Sequence, residues 1–134
     1  MSFEQRKDLV RYWWSKAEDS LASAKRELQA GAYSFSVNRL YYAAFYAASA
    51  ALLDRQLSFR KHAGVRAAFH QQFIKGGLVA QEWGELYDQL FEDRQEGDYA
   101  PMVSFKRAYV ESLLDRCSKL LDALRPQVSS LSPG

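Results

Sequence analysis

Apolar positions along this chain recur at intervals of three and four residues, the period of helices that each bury one face. Ser2 followed by Gln5 is a capping-box pattern and opens a first helix. Its expected core stripe is Leu9, Trp13, Ala17, Leu21, Ala24 and Leu28, and Gly31 stands where a helix end favours glycine. A second helix is expected from a cap at Ser34 or Ser36 to about Asp54, with Val37, Tyr41, Phe45, Ala48 and Leu52 along one side. Its other side is also small or apolar (Ala43, Ala44, Ala47, Ala50, Ala51), which places it at the centre with several neighbours. Residues 55–61 read as a polar connector. A shorter helix follows over His62 to Lys75, closed by Gly76-Gly77. A fourth is expected over Ala80 to Glu96, with Trp83, Leu86, Tyr87, Leu90 and Phe91 inward, then a turn over Gly97 to Pro101. The last, about Val103 to Leu124, runs through Phe105, Tyr109, Leu113, Cys117, Leu120 and Leu121.

No alternating strand pattern and no internal repeat is present. The expected fold class is all-α, an antiparallel bundle of four to five helices over residues 1–124. Residues 125–134 are rich in Pro and Ser and are expected to form a flexible tail.

Composition narrows the function classes. A chain of 134 residues with 48% apolar content is expected to be one domain, burying roughly two-thirds of its unfolded surface. Eighteen Lys and Arg against sixteen Asp and Glu give a formal charge of +2. That is too little for the broad basic footprint of a duplex-binding protein, although a local cluster suffices for a phosphate or a short RNA. Cys117 is the sole cysteine, so no internal disulfide forms, and its register with Leu113, Leu120 and Leu124 marks it as core. No apolar run approaches the ~18 residues that span a bilayer. The start of the chain, with Glu4, Arg6, Lys7 and Asp8, lacks a signal segment, so a cytoplasmic chain with no membrane partner is expected.

Three stretches carry polar chemistry. In Asn38-Arg39-Leu40-Tyr41-Tyr42-Ala43-Ala44-Phe45 an amide, a guanidinium and two phenols are set into an apolar helix. Asn38, Tyr41 and Tyr42 share one surface by their spacing, and Arg39 points about 100° away. Buried without partners, such groups cost on the order of 1–3 kcal/mol each. Phe59-Arg60-Lys61-His62-Ala63-Gly64-Val65-Arg66 gathers basic groups at a helix start, where free N–H groups favour anions, with His62 as an acid or base. The alternative for this run is a solvated basic turn, and His70 reads as a surface or packing histidine. In Arg94-Gln95-Glu96-Gly97-Asp98-Tyr99, Arg94 closes a helix, Gly97 supplies a left-handed turn and Asp98 caps or pairs with Arg94. That last group is complete as a purely structural helix end, so a polar network and a site both remain open. There is no Gly-rich phosphate loop, no His-Glu-x-x-His and no paired metal-ligand spacing, so neither a metal nor a cofactor is expected.

The order Asn38-Arg39-x-Tyr41-Tyr42-Ala43, Lys61-His62-x-Gly64-Val65 with Phe69, Phe73-x-Lys75-x-Gly77, and Arg94-x-x-Gly97-Asp98-Tyr99 resembles the HEPN domains of prokaryotes. It is most similar to the small stand-alone branch encoded beside a minimal nucleotidyltransferase, a branch that looks like nucleotidyltransferase substrate-binding subunits, and the similarity covers residues 7–124. The resemblance implies an antiparallel bundle that forms a homodimer, through the second and last helices, with polar residues in the dimer cleft. It implies one of three roles. The first is the HEPN half of a toxin–antitoxin-type pair, with the minimal nucleotidyltransferase as partner. Arg94 then holds a phosphate of nucleotide or RNA, Asp98 orients it, Tyr99 is the AMP acceptor, and Asn38, Tyr42, Lys61 and His62 support the site. The second is a metal-independent ribonuclease using Arg94 and His62. The third is a non-catalytic nucleotide-binding or scaffold module. The sequence departs from the family's nuclease motif, Arg-x(4–6)-His. Five residues after Arg94 stands Tyr99, no histidine follows, and Arg55 with His62 matches only literally, ahead of the third helix.

Overall fold

The computed structural model describes residues 1–99 and 104–133, with the backbone alone at residue 99. Among these residues five α-helices follow one another: α1 Phe3–Gln29, α2 Tyr33–Asp54, α3 His62–Phe69, α4 Gln81–Tyr99 and α5 Arg107–Leu124. No strand occurs among the described residues, and the all-α bundle is as expected.

Helix α1 opens on the full capping box, with Ser2 Oγ accepting from the Gln5 N–H and Gln5 Oε1 accepting from the Ser2 N–H. It ends before Gly31, whose φ of +78° is the left-handed turn that folds α2 back along α1. The core stripe of α1 is Val10, Trp14, Ala17, Ser20, Ala24 and Leu28. Its N-terminal half is therefore one residue out of the expected register: Leu9 and Trp13 are only half-buried. Residues 9–14 hold apolar side chains on two adjacent stripes, and only the position of α2 chooses between them.

Helix α2 packs against all four other helices, as its apolar circumference requires. It starts at Tyr33 with no side-chain cap. The Ser36 hydroxyl is buried and donates instead to the Ala24 carbonyl of α1 at 2.8 Å, so it bridges two helices rather than capping one. Cys117 is core as expected, its Sγ 3.6 Å from the Leu40 carbonyl, and burial pushes its thiol up to about 12.

Three expected boundaries move, one of them the start of the last helix, which is Arg107 rather than about Val103. The third helix is α-helical only to Phe69 and continues as a π-turn over His70–Ile74. Helix α4 does not stop at Glu96 but runs through Gly97 and Asp98 to Tyr99, and the remainder of the expected turn lies outside the described residues. Gly97 is helical: a Cβ there would sit 2.9 Å from Phe105 Cε2, so glycine serves close packing rather than a left-handed turn. Phe105 precedes α5 and stacks on Tyr109, their centroids 6.1 Å apart and planes 12° from parallel.

The expected flexible tail is docked. Two short 3-10 turns, Arg125–Gln127 and Ser129–Leu131, follow α5. Val128 is buried, and the Asp54 carboxylate accepts from the backbone N–H and hydroxyl of both Ser129 and Ser130. The serines that suggest disorder in the sequence are thus the donors that tie this segment down. No helix among the described residues is long and apolar enough to cross a membrane.

Candidate functional site

The three polar stretches converge where α2, the start of α3 and the end of α4 meet. Extension of α4 past Glu96 places Arg94 and Asp98 one turn apart on the same face, with Arg94 Nε 3.3 Å from Asp98 Oδ2. The Arg94 side chain is 15% exposed and that of Asp98 26%. Arg94 donates to the Tyr42 hydroxyl at 3.2 Å, and its guanidinium carbon lies 5.1 and 5.2 Å from the ring centroids of Tyr41 and Tyr42. A cation held against two phenol rings is attracted by their faces.

Asn38 closes the other side. Its amide donates to Asp98 Oδ2 at 2.9 Å, while its carbonyl accepts from Arg39 Nε at 3.0 Å and Nη2 at 2.6 Å. Arg39 therefore does not point away as its position on the helix suggests. Its long stem folds back, and the guanidinium lies 5.6 Å from the Tyr42 ring centroid. Two arginines flank one carboxylate and one amide, which leaves a local surplus of positive charge.

His62, the first residue of α3, enters the same cluster. Its Nδ1 is 3.0 Å from the Tyr41 hydroxyl, and its ring centroid is 4.3 Å from that of Phe45 and 5.8 Å from that of Tyr42. Burial, and then the nearby Arg94 charge, hold the His62 pKa below its usual 6.5, so the ring is neutral at pH 7. Burial also raises Tyr41 to about 12, and that phenol keeps its proton. Arg94 and His62, 32 residues apart in sequence, thus meet across the Tyr41–Tyr42 pair. Lys61 is exposed at the N-cap of α3 and makes no side-chain hydrogen bond or ion pair with this network among the described residues. The Tyr99 side chain lies outside the described residues. No cluster of three or more His, Cys, Asp or Glu side chains among the described residues is placed to hold a metal ion.

Beside this cluster lies a second polar junction that the sequence pattern alone does not single out. Asp88 Oδ1 accepts from Arg66 at 3.1 Å and lies 2.9 Å from His70 Nε2. The Arg66 guanidinium is 4.0 Å from the Phe91 ring centroid. Arg66 and His70 are four apart on one helical face, and that spacing is the one signal of the junction present in the sequence. Farther along α4, Asp93 is 4% exposed and accepts from the Tyr109 hydroxyl and from Gln89, at 2.8 Å. Burial, with that bond to Asp93, pushes Tyr109 up to about 12.

Comparison with known proteins decides the family. The HEPN domain profile matches residues 10–127. This chain is a member of the HEPN domain family. A relative from Thermotoga maritima, named a UPF0332 protein, is 39% identical over 127 residues, covering 95% of this chain and 96% of that one. A candidate toxin from Methanocaldococcus jannaschii, MJ0142, is 34% identical over 101 residues, covering 75% of this chain and 69% of its own. The crystal structure of TT1696 from Thermus thermophilus superimposes with a TM-score of 0.74 at 19% identity, covering 88% of this chain and 97% of that one. That last likeness concerns the fold alone. The segments carrying the resemblance, from Asn38 to Asp98, all lie inside the matched HEPN region.

Proposed function

We propose that this HEPN protein is one half of a toxin–antitoxin-type pair with a minimal nucleotidyltransferase, and that Arg94 binds a phosphate of RNA or nucleotide. The observation that carries the phosphate reading is the placement of Arg94. It is pressed on two phenol rings, paired with one carboxylate and accompanied by Arg39 over the same Tyr42. Planar guanidinium groups at such sites suit bidentate binding of phosphate oxygens. Support for the pair comes from relatives named as candidate toxins. In the modified state, the Tyr99 phenol oxygen would attack the α-phosphorus of the partner's ATP, releasing pyrophosphate and the phenol proton.

The test is expression in a bacterial host, alone and together with a minimal nucleotidyltransferase, followed by intact mass and peptide mapping. Growth arrest that the partner relieves, with one AMP added at Tyr99, is the expected result. Absence of both toxicity and adduct rules the reading out.

One observation favours a second reading, a metal-independent ribonuclease: His62 and Arg94 share the Tyr41–Tyr42 pair. With Nδ1–H donating to Tyr41, neutral His62 has a free Nε2 lone pair to take the 2′-hydroxyl proton. The 2′ oxygen then attacks phosphorus, the bond to the 5′ oxygen breaks as that oxygen takes a proton from water, and Arg94 neutralises the developing charge. Cleavage of single-stranded RNA that is lost in both Arg94→Ala and His62→Asn, with folding intact, distinguishes it from a binding module.

A further inference from the structure

We infer that the pocket between α1 and α2 lined by Lys16, Arg26 and Arg39 is the docking site for an acidic polypeptide segment of a partner protein. The pocket encloses about 320 Å³. Three of its lining side chains are cations, and one, Asp19, is a carboxylate. None of these four charged groups is in an ion pair among the described residues. Aromatic faces hold two of the cations instead. Lys16 Nζ lies 5.4 Å from the ring centroid of Tyr12 and 5.5 Å from that of Tyr46, and Arg39 rests on Tyr42. Such contacts position a charge without neutralising it. Ser20 also lines the pocket and is only 8% exposed, yet its hydroxyl makes no hydrogen bond among the described residues. A largely buried donor left over between cations calls for an anionic acceptor from outside.

The order of charges along α1 selects the kind of anion. Lys16 and Arg26 are ten residues apart, about 15 Å along the helix axis, with Asp19 between them. That spacing suits several charges on one chain better than a single phosphate or small carboxylate. A nucleic-acid strand is long enough, but it carries a charge at every nucleotide and so sets a phosphate against Asp19. A polypeptide can place carboxylates opposite the cations and a neutral or basic side chain opposite Asp19. Complementarity of this patterned kind fixes partner and register.

The pocket borders the Arg94 cluster through one shared residue: the Arg39 guanidinium lines it and is also bonded to the Asn38 carbonyl. The inference does not depend on the toxin reading, because it needs neither Tyr99 nor a phosphate at Arg94.

The test is an NMR titration of the isotope-labelled full chain with an end-blocked, alanine-rich helical peptide. Two glutamates ten residues apart flank one lysine in this probe, and a second peptide has glutamine in place of both glutamates. The glutamate peptide is expected to move the amide peaks of the Lys16 to Arg26 stretch and of Tyr46, and to bind at least tenfold tighter than the glutamine peptide. Arg26→Glu, an exposed change near the end of α1, should weaken it about tenfold, and a peptide with lysine in place of the facing glutamate should restore the loss. Lys16→Gln is the second variant, should Arg26→Glu disturb the helix end. An oligouridylate should leave the Lys16 to Arg26 peaks in place. Equal affinity of the two peptides, or no movement of these peaks, overturns the assignment. So does an oligouridylate that moves them at lower concentration than the glutamate peptide, since the pocket then belongs to a nucleic-acid path. Broadening of the same peaks with protein concentration alone also overturns it, because the face is then a contact between copies of this chain.

Discussion

Arg94 holds the polar cluster together and is also the proposed phosphate ligand, and substitution reads out the first role by itself. Removing its guanidinium takes a cation from two phenol faces and a donor from the Tyr42 hydroxyl. Arg94→Ala is therefore expected to cost about 1–3 kcal/mol, read as a lower urea midpoint with an unchanged slope. Arg94→Lys keeps the charge but loses the planar stack and fork, so it should recover less than half of that stability. A stability equal to the native protein's in Arg94→Ala would mean that the phenols do not hold the cation. His62 gives a pH signature at the same place. Its folded pKa lies below the unfolded 6.5 because burial, and then Arg94, disfavour its charged form. Below pH 6.5 the unfolded chain thus binds more protons than the folded one, and stability falls as pH drops from there towards the folded pKa. Urea midpoints measured from pH 8 to 5 should fall less steeply in His62→Asn than in the native protein. Parallel curves would show that His62 titrates as a free histidine.

At the scale of the helix, the junction between α4 and the π-turn rests on a missing side chain. A Cβ on Gly84 would sit 2.8 Å from His70 Cε1 and 3.0 Å from Ile74 Cγ1. Alanine is the better helix former by about 1 kcal/mol, yet overpacking typically costs about 1–3 kcal/mol, so Gly84→Ala is expected to destabilise. A thermal melt checks the sign, and a rise in melting temperature would show that the π-turn yields freely. Helix α4 also shows where sequence reading stops. The inward faces of Leu86, Tyr87 and Leu90 are legible because periodicity reports burial directly. Gly97 reads as a terminator because a glycine needed for a left-handed turn and one needed for close packing look alike in sequence. Only the Phe105 ring, outside α4, tells them apart. Asn38, Tyr42, Arg94 and Asp98 stand out in the sequence as polar groups in need of partners, and the structure links them. Arg39 escapes because its side chain folds back over Tyr42, a path that a helical wheel does not contain. The Arg66–His70–Asp88 junction needs the docking of α3 on α4, which no local pattern encodes.

Across the whole molecule, the segment after α5 acts as a clasp joining helices that are distant in sequence. Arg11 Nε on α1 donates to the Ser130 carbonyl at 2.9 Å, and Asp54 at the end of α2 accepts from Ser129 and Ser130. Arg125 pairs with Glu18 at 3.0 Å and lies 5.2 Å from a Trp14 ring centroid. The exposed Arg125–Glu18 pair adds little by itself, because water screens it. Val128 contributes more: burying a valine side chain is worth about 1.5–3 kcal/mol. Removal of residues 125–134 is therefore expected to lower stability by about 2–4 kcal/mol, with Asp54→Ala accounting for part of that loss. The clasp meets the molecule along α1 between Arg11 and Glu18 and at the end of α2, whereas Arg94, Asp98 and His62 are held by α2, α3 and α4. Truncation should consequently leave the phosphate binding proposed for Arg94 intact at temperatures where the shortened chain is folded. Paired measurements of urea midpoint and of RNA affinity decide the matter. A large stability loss with unchanged affinity places the clasp outside the site, and an affinity that falls in step with stability would show that the bundle and its site open as one cooperative unit.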